Sequence, residues 1–261
     1  MALLSAGVAL SFASAGQPDR PRVQAIGSDL TLTLPDGRVL GPADLVGAVL
    51  SIDADGGGEQ AVRIDAVEDD PDDPAKDIRL YSLSVRDPAS GAWSPFCLPG
   101  PDGVAKAFPL SGRWTADGRH VRDEAAFSLI CTGGAIGKCV RWGYKPWRAS
   151  AKGADLWDAH QACVRMVRAD YAGDGVGHTR DDTPIDLFDR LGINLPAGDP
   201  GGLTFEAAWG PDGAVCVRKT RYRELMTLEA LERAVPALRG HTGEACREDV
   251  ADPRVLVLNR S

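Results

Sequence analysis

The sequence predicts an α+β fold: an antiparallel, β-rich N-terminal half, then a half of mixed helices and hairpins, stabilised by disulfides. Short segments of alternating hydropathy recur between residues 23 and 130, and Asp-Gly pairs supply the positive φ angles of tight hairpin turns. An amphipathic helical pattern appears only later, at residues 154–171. Strands that precede helices in this way are typical of α+β proteins.

The composition is that of a globular protein. The 261 residues are 44% hydrophobic and 25% charged, and the formal net charge is −8. These values exclude collagen-like, coiled-coil and wholly disordered chains. The acidic balance argues against a protein that binds nucleic acid mainly by charge. The sequence has no nucleophile elbow, P-loop or dinucleotide-binding fingerprint, so it predicts no cofactor.

The first residues resemble a secretory signal. Residues 1–15 form an apolar run that ends in Ala13-Ser14-Ala15, the small-x-small pattern of a cleavage site, although a basic start is missing. The run is too short to span a membrane comfortably, and no other segment has the required length and apolarity. We therefore expect an exported protein, periplasmic or extracellular, with an exposed leader at residues 16–22. The alternative is a buried N-terminal helix.

The first half contains four predicted strands. They lie at residues 30–34, 46–52, 61–67 and 80–86. Residues 65–77 are rich in aspartate and hold two prolines. Calcium binds clusters of carboxylates, but the spacing of a calcium-binding EF-hand loop is absent here, so a solvated loop between strands is favoured.

The second half mixes helices with strands. Its main helix is predicted at residues 154–171, where apolar residues share one stripe. Further predicted elements are a short helix at 185–191, a hairpin of residues 205–209 and 214–222, an irregular helix over 225–238 and a strand at 255–258. We divide the chain into a β-rich region, 23–130, and an α+β region, 131–261, which pack together as one unit.

Six cysteines are available for pairing. An even number in an exported chain indicates disulfides, and six cysteines allow fifteen pairings. No C-x-x-C motif occurs, so a zinc ribbon is not indicated. Our working arrangement pairs neighbours along the chain, as Cys97–Cys131, Cys139–Cys163 and Cys216–Cys246. Each loop of this size would add about 3 kcal/mol to the free energy of unfolding.

Five short motifs follow one another in the second half. They read GYKPW from Gly143, HQACVRMVRADY from His160, GDG from Gly173, HTR from His178 and TPIDLFD from Thr183. In this order they resemble the ADYC-domain family of bacterial proteins, which are often exported. The resemblance is close from about Leu80 to Arg190 and thinner to Arg260. It implies no established activity.

The chain departs from this family at the namesake motif, where the family's cysteine is Ala172. If that cysteine is a nucleophile activated by a base at His178, with Asp174 beside it, this chain is an inactive scaffold of the cysteine hydrolase or transferase type. If the cysteine is half of a disulfide, this chain has lost the whole pair. The even cysteine count favours the second interpretation.

The loop after the main helix is the best candidate for a binding site. Its glycines permit backbone conformations that other residues resist, and loops on a rigid frame commonly carry function. The partner is unknown, and a small molecule or a protein is considered. The candidate ligand-binding residues are Asp170, Tyr171, Asp174, His178, Arg180 and Asp186.

Two alternatives bear on this loop. A metal held by Asp174, His178 and Asp186 is the weaker of them. Ordinary capping and turn formation is favoured, with Asp182 or Thr183 opening a helix just before a proline.

Two further clusters have a functional and a structural interpretation. His160 and Cys163 share a helix face, but two ligands do not make a metal site, so a disulfide beside a core histidine is favoured. Residues 141–148 interleave aromatic and basic side chains, which could stack sugars or bind anions. A half-buried strand is favoured there. The sequence as a whole predicts a binding or structural interaction module rather than an enzyme.

Overall fold

The computed structural model describes residues 21–53, 58–100 and 102–261. The signal-like segment at residues 1–15 and the leader up to residue 20 lie outside the described residues. Arg22, the last residue of the predicted leader, is exposed and begins the first strand, where it pairs with Thr33. No helix in these three ranges has the length and apolar character needed to cross a membrane.

The α+β fold is confirmed, and its first half is built from antiparallel strands. These are β1 (Arg22–Ile26), β2 (Asp29–Thr33), β3 (Val39–Leu40), β4 (Val49–Asp53), β5 (Glu59–Asp69), β6 (Arg79–Arg86), β7 (Trp93–Pro95), β8 (Ala107–Ser111), β9 (Arg113–Trp114), β10 (His120–Val121) and β11 (Phe127–Cys131). Strands β1 to β3 form a small sheet, and β9 pairs with β10. The others form a six-stranded sheet in the order β11-β8-β6-β5-β4, with β7 beside β6.

The first core lies between these sheets. Alternate residues of β5 and β6 point inward, as their sequence pattern predicts, so that Ile64 and Leu80 are buried. The hydroxyl of Tyr81 accepts a hydrogen bond from the backbone N–H of Leu30 over 2.8 Å, which joins the small sheet to the large one. Burial raises the pKa of Tyr81 to about 12.

The second half packs helices against a second sheet. Its elements are α1 (Ala135–Arg141), α2 (Trp157–Arg168), β12 (Asp186–Asp189), β13 (Phe205–Gly210), β14 (Gly213–Val217), α3 (Leu228–Ala234) and β15 (Val257–Arg260). The strands are ordered β12-β15-β13-β14, and α2 packs against β13 and β15. Trp114 and Ile136 pack against both the first and the second core. The division of the chain at residue 130 stays a prediction.

Helix α2 is shorter than predicted because both of its ends are fixed locally. The side chain of Asp155 accepts the backbone N–H of Trp157 over 2.9 Å at the start. At the end, Ala169 adopts a left-handed conformation with φ of 49°.

The helix predicted at residues 185–191 is wrong, because residues 186–189 form β12. This strand pairs with β15, and the pairing buries Phe188. The carboxylate of Asp189 then accepts four backbone N–H groups from residues 191–194, which builds a tight turn after the strand. The predicted helix start is wrong as well. Asp182 has a φ of 58°, and the Thr183 hydroxyl donates to the carbonyl of Arg180.

The other elements of the second half are present with shifted ends. The hairpin predicted around residues 211–213 is confirmed as β13 and β14, although β14 ends at Val217. The third helix is confirmed as the shorter α3, and a 3-10 turn, Pro236–Leu238, follows it. The final strand, β15, starts two residues later than predicted.

The three predicted disulfides are confirmed. Their Cα–Cα distances are 5.6, 5.8 and 5.4 Å, in the order Cys97–Cys131, Cys139–Cys163 and Cys216–Cys246. The second one joins α1 to α2, beside the buried His160. The favoured interpretation of His160 and Cys163 therefore holds.

The aspartate-rich segment is a largely exposed loop between β5 and β6, as expected, but Asp73 is buried in it and accepts a hydrogen bond from Lys145 over 2.7 Å. The expectation for the aromatic and basic segment is wrong. Residues 141–148 are not a half-buried strand. They are the end of α1 and a turn, in which Arg141 pairs with Asp70 and Tyr144 donates to a buried carboxylate. The basic residues of this segment serve to anchor the acidic loop.

Candidate functional site

Asp170, the first polar residue of the glycine-rich loop, has a structural role. Its side chain is completely buried, and its carboxylate pairs with Arg165 over 2.5 Å. The same carboxylate accepts the backbone N–H groups of Asp174 (3.1 Å) and Gly175 (3.0 Å). These bonds use the acceptor capacity that a ligand would need, and they fix the loop against α2.

The glycines of the loop allow the backbone to approach two other turns closely. A Cβ atom on Gly173 would lie 1.9 Å from the carbonyl oxygen of Asp212. A Cβ atom on Gly175 would lie 2.9 Å from the carbonyl carbon of Asp117. The guanidinium of Arg165 joins the same turns, since Nη1 donates to the carbonyl of Asp117 over 2.6 Å. The glycine content therefore serves packing between loops.

Tyr171 belongs to a buried network on the second sheet. Its hydroxyl donates to Glu206 over 2.9 Å and accepts the backbone N–H of Arg221 over 2.7 Å. Arg221 pairs with Glu206 and also donates to two carbonyls at the end of α2. Trp209 stacks on the tyrosine ring, with 5.2 Å between ring centroids. Burial raises the pKa of Tyr171 above its usual range, so the phenol stays protonated as a donor.

The residues of the catalytic alternative lie at the surface of the loop. Ala172 and His178 are half-buried and Asp174 is exposed. The Asp174 carboxylate accepts the N–H of Val176, and Nδ1 of His178 donates to the carbonyl of Ala169 over 3.3 Å. Among the described residues, no hydrogen bond or ion pair joins the side chains of Asp174 and His178.

Arg180 and Asp186 do not form one site with the other candidate residues of the loop, because each has its own partner elsewhere. Arg180 pairs with Glu224 and lies over the ring of Tyr222. Asp186 pairs with Arg260, across the strands β12 and β15. In the described part of the chain, no group of three His, Cys, Asp or Glu side chains is placed to hold a metal ion.

The sequence interpretation missed a stack of rings beside α2. His120 lies between Trp114 and Trp157, with centroid distances of 4.5 and 3.8 Å, and Arg122 covers the other face of Trp157. His160 meets this stack edge-on. Burial lowers the pKa of His120 to about 4 and that of His160 to about 3. Both rings are neutral at pH 7.

A groove along the outer edge of β11 was also missed. It consists of two cavities of about 790 and 440 Å³, which share Trp114, Leu129, Ile130 and Ile136 in their walls. We call it the β11 groove. The larger cavity is lined by residues 51–53 of β4 and by residues 127–130 of β11. Side chains alternate between faces along a strand, so a cavity that meets four consecutive residues lies at the strand's edge.

One end of the β11 groove carries hydrogen-bond donors. Arg165 and Arg168 line the smaller cavity. Nη2 of Arg165 and Nε1 of Trp114 have no hydrogen-bond partner among the described residues, but both atoms are fully buried, so the donor open to a ligand is Arg168. Arg168 is exposed, donates to the carbonyl of Gly175 and pairs with no acidic residue of the described ranges. This end of the groove suits an acceptor that carries negative charge.

The chain matches the model of a known protein family. A family model described as the ADYC domain matches residues 42–223, which is more than half of the chain. The resemblance carried by the five short motifs is thereby confirmed. No curated protein and no solved structure matches the chain.

Proposed function

This chain belongs to the ADYC domain family, and we propose that it is an exported, disulfide-stabilised binding protein whose ligand site is the β11 groove. The three disulfides support export, because disulfides persist mainly in oxidising compartments such as the periplasm and the extracellular space. The signal-like segment at residues 1–15 points the same way.

The main support for a binding function is the β11 groove itself. Each of its cavities falls within the roughly 300–1,000 Å³ that ligand sites occupy. Its walls combine apolar side chains with a smaller number of polar ones, among them Arg165 and Arg168 at one end. Apolar walls with a small number of placed polar groups are typical of binding sites.

The glycine-rich loop supports binding over catalysis. Ala172 carries no nucleophilic atom at the family's cysteine position, and Asp170 and Tyr171 are engaged in buried structural bonds. In this proposal the loop acts as a support, which holds Gly175 and Arg168 at one end of the groove.

Export is tested by expressing the full chain in a bacterial host and fractionating the cells. We expect periplasmic protein that begins after Ala15 and contains no free thiol by mass spectrometry of the unreduced sample. A matched chain without residues 1–15 should stay in the cytosol. Cytosolic full-length protein with free thiols would overturn the export part of the proposal.

Ligand binding is tested by nuclear magnetic resonance of the oxidised protein. A library of neutral, acidic and basic small fragments is titrated while the backbone amide signals are followed. We expect saturable shifts that cluster on residues 127–130, Trp114 and Ile136. If no fragment shifts these signals, or if the shifts cluster elsewhere, the groove is not the binding site.

The catalytic interpretation is tested with Ala172→Cys. The new thiol is labelled with iodoacetamide across a range of pH. We expect the ordinary thiol pKa of about 8.5. A thiol pKa several units lower, which returns toward 8.5 when His178→Gln is added, would favour an enzyme-like scaffold and contradict the proposal.

A further inference from the structure

We infer that the β11 groove binds an extended strand of a partner protein, which pairs with the free edge of β11 and presents an acidic side chain to Arg168. This inference rests on the proposed binding function and names the class of partner. It follows from the backbone pattern of two strand edges, from the walls of the groove and from its charge.

Some backbone groups of β11 face away from its neighbour β8. Hydrogen bonds at Ala126 and at Thr132, just beyond the two ends of the strand, join it to the segment of β8. Bonded and non-bonded residues alternate in an antiparallel pair, so the N–H and C=O groups of Phe127 and Leu129 turn away from β8. Pro109, which has no N–H, lies opposite Leu129 as this alternation requires. Neither Phe127 nor Leu129 has another backbone partner in the described ranges.

Strand β4, at the other edge of the six-stranded sheet, also has backbone groups that face outward. The N–H of Ile64 donates to the carbonyl of Ala48, so the alternation turns the backbone groups of Ser51 away from β5. Ser51 lies on one edge strand of the sheet and Leu129 lies on the other. Both residues are in the wall of the larger cavity. A single strand in this cavity would have hydrogen-bonding groups on either side.

The edge of β11 lacks the features with which proteins discourage edge pairing. Its five residues, Phe127–Cys131, include no charged residue and no proline, and its pairing with β8 contains no bulge. An open, uncharged edge is a template for another strand. Proteins that bind peptides by strand addition use such edges, with backbone hydrogen bonds for affinity and pockets for specificity.

The walls of the groove favour a single strand over the edge of a second folded copy. Residues 51–53, Trp114 and Ile136 border the same cavities as the edge of β11. A strand that belongs to a second sheet would bring its neighbours against these walls. An extended segment without neighbours fits between them.

The charge of the smaller cavity further specifies the bound strand, whereas the larger cavity is lined by one acidic and one basic residue, Asp53 and Arg113. The smaller cavity is lined by Arg165 and Arg168 and by no acidic residue of the described chain. The charge of Arg165 is matched by Asp170, whereas Arg168 is unpaired in the described ranges. A glutamate or aspartate of the bound strand would complement Arg168.

The probe is a pair of heptapeptide pools in which threonine alternates with Val, Leu, Ile or Phe. The last residue is Glu in one pool and Gln in the other, and all peptides are acetylated and amidated. Binding to the oxidised full chain is measured by fluorescence anisotropy, and amide hydrogen exchange is followed by nuclear magnetic resonance. We expect the Glu pool to bind roughly five- to tenfold more tightly than the Gln pool. We also expect slower exchange at Phe127 and Leu129.

The controls separate the backbone and charge contributions. Arg168→Gln should remove the preference for Glu, whereas Arg239→Gln, an exposed arginine that also donates to a backbone carbonyl, should leave it unchanged. Glu peptides that are N-methylated at alternate residues should lose binding, because the methyl groups block strand pairing.

Three results would overturn the inference. In the first, neither pool binds although small fragments still shift the groove signals, which would leave the proposed function standing. In the second, the Glu preference survives Arg168→Gln. In the third, sedimentation shows a dimer without peptide, and amide exchange at Phe127 and Leu129 is already slow in that dimer.

Discussion

His120 and His160 should make the folded state sensitive to mild acid. Each ring is buried, and each Nε2 donates to a backbone carbonyl, that of Ser111 for His120 and that of Ile136 for His160. Their Nδ1 atoms have no partner among the described residues. Protonation would therefore place an uncompensated charge inside the protein, and burial lowers the pKa of both rings for this reason.

The sign and size of the effect follow from the two pKa values. Both fall from an ordinary 6.5, to about 4 for His120 and to about 3 for His160. The unfolded chain takes up these protons below pH 6.5, whereas the folded chain does not. The stability is fully present above pH 6.5 and is lost as the pH falls toward the folded pKa values. At pH 5 the loss is about 2 kcal/mol for each ring and about 4 kcal/mol for both.

The assay is urea unfolding of the oxidised protein at pH 8 and at pH 5, followed by tryptophan fluorescence. Most carboxylates stay ionised at pH 5, because the ordinary pKa of aspartate is 3.8. The acid-induced loss in the free energy of unfolding should be about 2 kcal/mol smaller in His160→Gln and in His120→Gln. His241→Gln, at an exposed histidine, should keep the full loss.

The quantity compared is the change in the free energy of unfolding between pH 8 and pH 5. Each substitution also changes packing, but that effect is present at both pH values and cancels in the change. The reasoning is refuted if the double variant His120→Gln/His160→Gln loses as much stability between pH 8 and pH 5 as the unsubstituted protein. It is also refuted if the exposed His241 accounts for the loss.

Three further substitutions test the buried framework by urea unfolding at pH 7. Asp170→Asn should lower the free energy of unfolding by about 3 kcal/mol, because it leaves a buried guanidinium without its counter-charge; a loss below 1 kcal/mol would contradict this. Lys145→Met should cost about 3 kcal/mol by leaving Asp73 unpaired, and Asp73→Asn should restore part of the loss in the double variant. Replacing Cys139 and Cys163 by alanine should cost about 3 kcal/mol, and unchanged unfolding would show that this bridge does not constrain the unfolded chain.

Local patterns predicted four of the eleven strands described in the first half, now β2, β4, β5 and β6, because these alternate in hydropathy. Of the seven that were missed, four are only two or three residues long. The predicted segments 61–67 and 80–86 lie within β5 and β6, and the turns between strands carry Gly, Pro or Asp. The disulfides followed from chain order because cysteines that are neighbours in sequence sit on elements that pack together, as α1 and α2 do.

Local patterns failed where a distant partner decides the structure. The segment 185–191 is short and contains four apolar and three charged residues, and such short segments are ambiguous between helix and strand. The choice is made by β15, about seventy residues later, which pairs with Asp186 and Phe188. The aspartate-rich loop is similar, because the charge of the buried Asp73 is paired with Lys145, far along the chain.

The β11 groove could not be predicted from sequence, because its two bordering edges are distant in the chain. Ser51 and Leu129 line one cavity only after the six-stranded sheet has formed with β4 and β11 at its edges. Each of these strands contains ordinary β-forming residues, and the absence of a neighbour on one side leaves no mark in the local sequence. The ring stack around His120 is hidden for the same reason, since Trp157 comes from another element.

The loop that drew attention in the sequence and the groove found in the structure are physically connected. Arg165 and Arg168 lie one turn apart on α2, and both line the smaller cavity. Asp170 holds Arg165 from inside the protein, while Gly175 accepts a hydrogen bond from Arg168 at the surface. The acidic and glycine residues of the motif therefore fix the position of two cations. A loop that has a structural role in itself can in this way determine the chemistry of a groove that is formed mainly by other elements.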